Sequence, residues 1–288
     1  MNVKKASGIF LTFFLSCSLA VLSHPKGHLF IIGGGQRPES MMKRFIESAR
    51  RVGSGKIIIF PMASSVPEEV GPEQAAQLKN YGAQEVEFHI LSREQASEPE
   101  AVKILDNVGG VFFSGGVQSR LADILLNTPV HKRLLELYEE GAVIGGTSAG
   151  AAVMSEIMIT GDERREVTED HAFETIEADN IVTEQGLGFI KSAIIDQHFI
   201  RRKRHNRLIS LITEKPELLG IGIDESTAIL VNPDQTFEVI GSHSVIVYDA
   251  SRAQIRIHPS RSISSFDMKM HILNPGDRFN LETKEVIK

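Results

Sequence analysis

The chain has 288 residues, 42% of them hydrophobic and 24% charged, which is the composition of an ordinary folded globular protein. Its formal net charge of -6 disfavours general binding to nucleic acid or to an anionic membrane surface. At this length one large domain or two small ones can form, and the sequence shows no internal repeat or low-complexity tract.

The first 23 residues have the pattern of a secretory signal peptide. A basic start precedes a nearly uninterrupted apolar run at 9–22, and small residues lead to a cleavage point before His24. The run is short for a membrane-spanning helix. We therefore predict export to the periplasm or the extracellular space, and we exclude residues 1–23 from the fold.

Cys17 is the only cysteine, and it lies inside this segment, so the mature domain has no pair of cysteines for a disulfide. Two interpretations stay open. Cys17 is removed with the signal, or FLSC is an imperfect lipoprotein site and Cys17 carries a lipid that attaches the protein to a membrane.

Short apolar runs then alternate with helix-like stretches. Strands are predicted at 28–35, 56–64, 85–91, 109–116 and 142–145, with helices at 39–51, 130–140 and near 71–80, 98–105 and 118–126. This alternation predicts a parallel sheet covered by helices on both faces.

From about residue 217 the pattern changes to short alternating strands: GIGIDESTAILV, TFEVIG, SVIVYDA and QIRIHP. We expect antiparallel strands added to the edge of the sheet or packed beside it. No linker separates the two parts, so residues 24–288 are predicted to form a single domain. The expected fold is α/β with three layers: a mostly parallel central sheet, helices on both faces, and antiparallel strands at the C-terminal end.

Three predicted strands end in glycine-rich turns, IIGGGQ, FSGGVQ and IGGTSAG. In open α/β sheets binding sites form beyond the carboxyl ends of the strands, so we expect these turns to lie close together. IIGGGQ lacks the spacing of a dinucleotide-binding loop and indicates a tight turn instead. No cofactor is predicted.

Ser148 lies in a G-x-S-x-G pattern, Gly146 to Gly150, directly after an apolar strand. A nucleophile at a sharp strand-to-helix turn needs such small neighbours. The alternative is a serine that caps the helix predicted near 149–155. The additional glycines and the preceding strand favour the nucleophile.

A nucleophilic serine needs a base, and His198 is the best placed of the ten histidines. SAIIDQHF indicates a buried strand with a polar end, so His198 is expected at the same edge of the sheet as Ser148. His131 and His205, by contrast, fall on predicted helix surfaces.

The base needs a carboxylate that orients its ring. Asp196 lies two residues before His198, on the same strand face. Asp224 and Glu225 follow another apolar strand and point in opposite directions. The residues alone do not choose among these three acids.

Four segments, GGTSAGAAVMS, FSGGVQSRL, IIDQHFIRRKRHNRL and GIGIDESTAILV, closely resemble cyanophycinases, serine peptidases of family S51 related to aspartyl dipeptidase. The resemblance runs from about residue 27 to the last strands. It implies a fold related to class I glutamine amidotransferases and a Ser-His-Glu triad. Ser148 would then be the nucleophile, His198 the base, and Glu225, ahead of Asp196, the orienting acid.

The facing glycine turns make the backbone N–H groups of Gly116 and Ala149 the natural oxyanion donors. Neither an HExxH motif nor a cysteine pair occurs in the mature chain, so no metal is predicted. The family is often dimeric, which makes a homodimer compatible with the resemblance.

The substrate of that family is a poly-aspartate backbone that carries arginine on each side-chain carboxyl, and the implied product is the β-aspartyl-arginine dipeptide. Each unit offers a guanidinium and a carboxylate, so the site needs both signs of charge. The resemblance implies five substrate-binding residues: Gln118, Asp196, Arg202, Arg204 and Arg207. The three arginines fall on positions that the family keeps basic, and arginine suits bidentate binding of carboxylate.

Two features depart from the family. Val117 stands where the family has Asp in Gly-Gly-Asp-Gln. The segment 161–184 is long and acidic, which is typical of a solvated loop, and it is a hypothetical receptor for guanidinium groups. Its acids are Asp162, Glu163, Glu166, Glu169, Asp170, Glu174 and Glu177.

Three alternatives stay open. The first is a peptidase of the same clan that cuts small aspartyl or isoaspartyl peptides. The second is an esterase of α/β-hydrolase type with His243, His258 or His271 as its base. The third is a non-catalytic exported binding module built on the same fold.

Overall fold

The computed structural model describes residues 25–165 and 172–288. The predicted signal peptide with Cys17, the predicted first mature residue His24 and the acids Glu166, Glu169 and Asp170 lie outside this range. Among the described residues, no helix has the length and apolar character needed to cross a membrane.

The first half of the chain builds the parallel part of the fold. Its elements are β1 (His28–Ile32), α1 (Glu39–Ala49), β2 (Lys56–Phe60), α2 (Pro67–Asn80), β3 (Val86–Phe88), α3 (Arg93–Ser97), a 3-10 helix (Pro99–Leu105), β4 (Val108–Phe113), α4 (Gln118–Leu125), α5 (Pro129–Glu140), β5 (Val143–Thr147) and α6 (Ala149–Ala152).

The second half is mainly strands. Its elements are β6 (Ile157–Glu163), β7 (Ile181–Gln185), β8 (Ala193–Gln197), α7 (His205–Glu214), β9 (Leu219–Ile223), β10 (Thr227–Val231), β11 (Thr236–Gly241), β12 (Val245–Asp249), β13 (Gln254–Ile257), β14 (Ile263–Phe266), β15 (Lys269–Leu273), β16 (Arg278–Asn280) and β17 (Glu285–Ile287).

The central sheet has nine strands in the order β17-β16-β11-β10-β1-β5-β4-β2-β3. The five from β1 to β3 are parallel, and the other four continue the sheet in antiparallel fashion from β1. Successive strand residues face opposite sides. Phe30 and Ile32 therefore pack with α1 and α2, whereas Leu29 and Ile31 pack in the larger core on the other face.

A second sheet, in the order β15-β12-β9-β8, lies against that larger core. Ile195 and Ile221 face the central sheet, whereas Ile194 and Ile246 belong to a third cluster together with residues of α7. This arrangement places the carboxyl ends of β8 and β9 beside the end of β1.

The α/β fold with its large parallel sheet, its helices and its added antiparallel strands is confirmed. The structure differs in detail. GIGIDESTAILV is not one strand but two, because the chain turns at Asp224–Ser226 and passes from the second sheet to the central one. The third predicted strand shrinks to Val86–Phe88, and Pro99–Leu105 is a 3-10 helix.

One histidine was placed wrongly. His131, expected on a helix surface, is buried with 8% of its surface exposed. Its Nε2 lies 2.9 Å from the carbonyl oxygen of Leu187, which satisfies the ring in the core.

Candidate active site

The end of β1 holds three functional turns together. The amide of Ser148 donates to the carbonyl oxygen of Ile32 (3.0 Å) and that of His198 to Gly33 (2.7 Å). The amide of Ser226, next to Glu225, donates to the carbonyl oxygen of Gly34 (2.8 Å). Consecutive residues of one strand end therefore fix the serine, the histidine and the carboxylate relative to one another.

Ser148 sits at a sharp turn between β5 and α6, with φ 53° and ψ −111°. A non-glycine residue adopts a positive φ at a cost, so the surrounding structure must impose it. A Cβ on Gly146 would lie 2.3 Å from the carbonyl oxygen of Gly150, which explains why small residues flank this serine. The Ser148 side chain makes no cap hydrogen bond to α6, contrary to the capping alternative.

The side chain of Ser148 instead contacts His198. Ser148 Oγ lies 2.8 Å from His198 Nε2, and His198 Nδ1 lies 2.7 Å from Glu225 Oε1. The three side chains form one hydrogen-bonded series. The imidazole is 10% exposed, and the carboxylate is 29% exposed.

The other two candidate acids are engaged elsewhere. Asp196 is 1% exposed and pairs with Arg207, whose Nε donates to its Oδ2 at 2.8 Å. Asp224 accepts the amide of Arg201 at 2.9 Å. Of the three acids that the sequence left open, the structure brings Glu225 to the histidine.

Charge and burial set the proton affinity of this pair. Burial, together with the positive charges of Arg202 and Arg204, lowers the pKa of His198, and the hydrogen bond to Glu225 opposes that shift. The same hydrogen bond lowers the pKa of Glu225 below its ordinary range. The carboxylate is therefore ionised and the imidazole is neutral at neutral pH, as a general base requires.

The glycine turn IIGGGQ has a larger part in the site than its sequence indicated. A Cβ on Gly34, whose φ is 111°, would lie 2.3 Å from the His198 ring, and one on Gly35 would lie 2.8 Å from the Glu225 Cβ. Glycine is required here because the imidazole packs directly on the backbone. In the sequence, only the three consecutive glycines at the end of a strand pointed to this role of the turn.

The turn after β4 forms the opposite wall. A Cβ on Gly115 would lie 3.4 Å from the Ser148 Cβ. The amide of Val117 donates to the carbonyl oxygen of Ala63 (2.9 Å) and pins this turn. Within the described parts of the chain, the amides of Gly116 and Ala149 donate to no backbone carbonyl.

The predicted substrate-binding residues divide into one exposed and four largely enclosed side chains. Arg202 is exposed, and its amide donates to the carbonyl oxygen of His198 at 2.9 Å. Gln118 is 7% exposed, and its side-chain nitrogen donates to the carbonyl oxygens of Ile159 (2.7 Å) and Thr160 (2.6 Å). Their contact with substrate stays a prediction.

The side chains of Arg204 and Arg207 are largely enclosed, with 15% and 3% of their surface exposed. The Nη1 of Arg204 donates to the carbonyl oxygen of Gln197 at 2.7 Å, and burial lowers the pKa of this guanidinium to about 10. Arg207 makes a bidentate contact with Asp196, and its guanidinium lies 5.1 Å from the ring centroid of Phe173.

The histidines of the esterase alternative have other contacts. The Nδ1 of His243 lies 2.9 Å from the backbone oxygen of Glu225, and the Nε2 of His258 lies 2.8 Å from Ser264 Oγ. The ring of His271 packs edge-on against Phe279. His198 is the histidine that bonds to Ser148.

The acidic segment is partly structural where it is described. Glu163 accepts the amide of Phe173 (2.7 Å) and the side-chain nitrogen of Asn180 (2.6 Å). Glu177 is 5% exposed and pairs with Arg165. These two acids therefore stabilise the connection between β6 and β7 and do not belong to a solvated loop. In the described part of the chain, no three His, Cys, Asp or Glu side chains are grouped to hold a metal ion.

An α/β fold with a serine, a histidine and a carboxylate bonded in series beyond its parallel strands defines a serine-type hydrolase. The family model for peptidase family S51 matches residues 29–239. The chain belongs to peptidase family S51 and is a serine-type peptidase.

Curated relatives extend the match over most of the chain. A cyanophycinase of Synechococcus elongatus is 32% identical over 270 residues, which cover 91% of this chain and 81% of that protein. A cyanophycinase of Geminocystis herdmanii is 32% identical, with 90% and 96% covered. The fold resembles the crystal structure of a peptidase from an acI-B1 Actinobacterium, with a TM-score of 0.65, 23% identity, and 90% and 98% covered.

Proposed function

We propose that this peptidase hydrolyses cyanophycin, the arginine-bearing poly-aspartate polymer, to β-aspartyl-arginine dipeptides with Ser148, His198 and Glu225 as its catalytic triad. The hydrogen-bonded series from Ser148 Oγ to His198 Nε2 (2.8 Å) and from His198 Nδ1 to Glu225 Oε1 (2.7 Å) carries the mechanism. The identity to curated cyanophycinases, 32% over 270 residues, supports the choice of substrate.

The reaction starts at the serine. His198 accepts the Ser148 proton at Nε2 while Oγ attacks an aspartyl carbonyl carbon of the substrate backbone. Glu225 holds the Nδ1 proton, which fixes the tautomer and stabilises the imidazolium. The imidazolium then protonates the leaving amine, and water activated by His198 releases the acyl group from Ser148.

The backbone amides of Gly116 and Ala149 are proposed to bind the oxyanion. Both lie on turns that flank Ser148, and no backbone carbonyl in the described chain competes for them. Donors aimed at the developing negative charge stabilise the transition state more than the ground state.

Arg202 is proposed to bind a substrate carboxylate. It is exposed, and its amide donates to the carbonyl oxygen of His198 (2.9 Å), so Arg202 lies close to the base. A guanidinium suits recognition of a carboxylate through paired hydrogen bonds. Because the polymer presents one free carboxylate per unit, this contact would place the scissile bond over Ser148.

The first experiment uses the chain from His24 onward, with a Ser148→Ala variant beside it. We expect the parent protein to release β-aspartyl-arginine from the purified polymer, and the variant to lose that activity by about 10⁴-fold or more. A serine-directed phosphonate should label the parent alone. Equal dipeptide release by both proteins would remove Ser148 from the mechanism.

A second candidate function is hydrolysis of small aspartyl or isoaspartyl peptides. It is favoured by Val117, which is 46% exposed on the turn beside Ser148 and offers an apolar surface there. Comparing kcat/KM for the polymer and for an isoaspartyl dipeptide separates the two functions. Phosphonate labelling without dipeptide release from the polymer would favour the small peptide.

Export is proposed from the pattern of residues 1–23 alone. Mass spectrometry of the protein made in a bacterial host with a secretion pathway tests it. A mature N-terminus at His24 supports a free exported enzyme, and a lipid-modified N-terminal Cys17 supports the anchored form. An intact Met1 start in the cytoplasmic fraction would contradict both.

A further inference from the structure

In the segment Gln197–Phe199, which contains His198, every backbone N–H and C=O group has a hydrogen-bond partner. The amide of Gln197 donates to Asp196 Oδ1 (2.8 Å), and its carbonyl oxygen accepts from Arg204 (2.7 Å). The amide of His198 donates to Gly33 (2.7 Å), and its carbonyl oxygen accepts from the amide of Arg202 (2.9 Å).

Phe199 completes this set. Its amide donates to the carbonyl oxygen of Ile223 (3.2 Å), and its carbonyl oxygen accepts from the amide of Arg204 (3.0 Å). Between Gln197 and Phe199, His198 has φ 50°, a left-handed conformation that is unfavourable for a residue with a side chain. A strained backbone persists only where its surroundings over-determine it, and this hydrogen-bond set does so.

Two charged side chains, Asp196 and Arg204, make some of these hydrogen bonds to the backbone. Asp196 is 1% exposed and Arg207 is 2% exposed, and the carboxylate accepts from Arg207 Nε at 2.8 Å. The same carboxylate also accepts the amide of Gln197, so the ion pair joins α7 to the residue just before His198. Arg204 adds contacts to both the backbone and the side-chain oxygen of Gln197.

Arg207 has little capacity left for a substrate. The Nε and Nη2 of Arg207 both donate to Asp196, and the guanidinium is stacked on the ring of Phe173. A substrate carboxylate would have to displace this buried pair to bind there. Arg202 differs, because its side chain is exposed.

We propose that Asp196, Arg204 and Arg207 are positioning residues that hold the backbone of His198 so that its imidazole meets Ser148. This inference rests on the proposed role of His198 as the base. It gives the arginines of RRKRHNRL different tasks: Arg202 faces the substrate, whereas Arg204 and Arg207 maintain the geometry of the base.

The test compares Arg204→Met with Arg204→Lys and with Arg207→Lys in the chain from His24 onward. Arg204→Met removes the donor to Gln197 and leaves the pair of Asp196 with Arg207 in place. Arg204→Lys retains a cationic donor. Arg133→Lys is the matched control, since Arg133 makes a bidentate contact with Glu140 on the surface of α5 (2.9 and 3.1 Å).

Two measurements separate positioning from substrate binding. One is the rate at which a small serine-directed phosphonate labels Ser148, because that reagent does not occupy the polymer site. The other is the division of the effect on polymer hydrolysis between kcat and KM. We expect Arg204→Met and Arg207→Lys to lower labelling and kcat about tenfold or more, because small misplacements of a catalytic group are costly.

KM should stay within about twofold of the parent value, and Arg204→Lys should recover part of the labelling rate. Unchanged labelling with a raised KM would show that these arginines bind substrate and would overturn the proposal. If circular dichroism shows that Arg207→Lys is unfolded, the two Arg204 variants decide alone. A His198→Ala control that labels as fast as the parent protein would refute the proposed base itself.

Discussion

Ser148 and His198 share an unusual backbone conformation, with φ 53° and 50°, yet the molecule imposes it by different means. The neighbours of Ser148 are glycine and alanine, and they pack so closely that a larger side chain would clash with the backbone. Around His198 the supports are charged side chains from α7 and the segment before it. Small residues dominate the surroundings of Ser148, whereas the turn at His198 combines a glycine contact at Gly34 with side-chain hydrogen bonds and an ion pair.

We therefore expect the two turns to respond to different kinds of substitution. Adding atoms near Ser148 should cause steric conflict, whereas removing polar atoms near His198 should release the loop. The first kind of turn is visible in a short motif, and the second depends on residues that are distant in sequence. The following three substitutions alter the surroundings of His198: two remove a charge, and one adds a methyl group to the glycine turn on which the imidazole packs.

The largest effect is expected for Glu225→Gln. The amide keeps the shape of the side chain but loses the charge that orients the imidazole and stabilises its protonated form, so kcat should fall about 10²- to 10⁴-fold. The midpoint of the pH profile should move down, because the interaction with the Glu225 carboxylate raises the pKa of His198 in the parent protein and an uncharged amide does so less. Steady-state kinetics between pH 4 and pH 9 measure both effects.

The matched control is Glu238→Gln, which removes a carboxylate that pairs with Arg44 (3.0 Å) away from the site. Its kinetics should be those of the parent protein. A loss of less than about tenfold in Glu225→Gln would mean that the negative charge of Glu225 is dispensable for the reaction.

A loss of about 10²-fold in kcat is expected for Gly34→Ala. The added methyl would lie 2.3 Å from the His198 ring and would push the imidazole away from Ser148 Oγ. Gly276→Ala is the control, because Gly276 also has a positive φ (96°) but a Cβ there would meet nothing within 4 Å. Activity and thermal unfolding are measured for both variants.

Backbone strain alone would lower the melting temperature of both glycine variants and spare the kinetics of both. A specific role for the glycine turn predicts that only Gly34→Ala loses phosphonate labelling as well as turnover. Normal labelling of Gly34→Ala would be evidence that the imidazole tolerates displacement.

The smallest effect is expected for Arg202→Gln. KM for the polymer should rise about tenfold, because a hydrogen bond to a charged group contributes about 1.5–3 kcal/mol. The pH midpoint should move up, since the positive charge of Arg202 lowers the pKa of His198. The neutral base is lost as the pH falls through that pKa, so the variant should lose activity at a higher pH than the parent protein.

The shift should shrink as salt is added, because an exposed charge is screened. A pH midpoint that moves down, or a shift that persists at high ionic strength, would contradict this assignment for Arg202. The same titration on an Arg133→Gln control, which removes a positive charge on the surface of α5, should show neither a shift nor a change in KM.

The sequence predicted the fold class and the sharp turn at Ser148, because both rest on local patterns. Buried parallel strands are continuous apolar runs, and the serine turn needs small residues at fixed spacing. His198 followed from one polar residue at a strand end. The residues alone left the acid open, because Asp196, Asp224 and Glu225 all had the right chemistry at a plausible place.

The sequence by itself determined the alternation of strands and helices, the strained serine turn and the segments that resemble cyanophycinases. The resemblance implied Glu225 as the orienting acid, but only the tertiary structure shows that Glu225 meets His198 and that Asp196 pairs with Arg207. It also decided that GIGIDESTAILV divides between two sheets. The physical reason is that spacing within one element follows from backbone geometry, whereas the pairing of charges depends on which strand ends the packed core brings together.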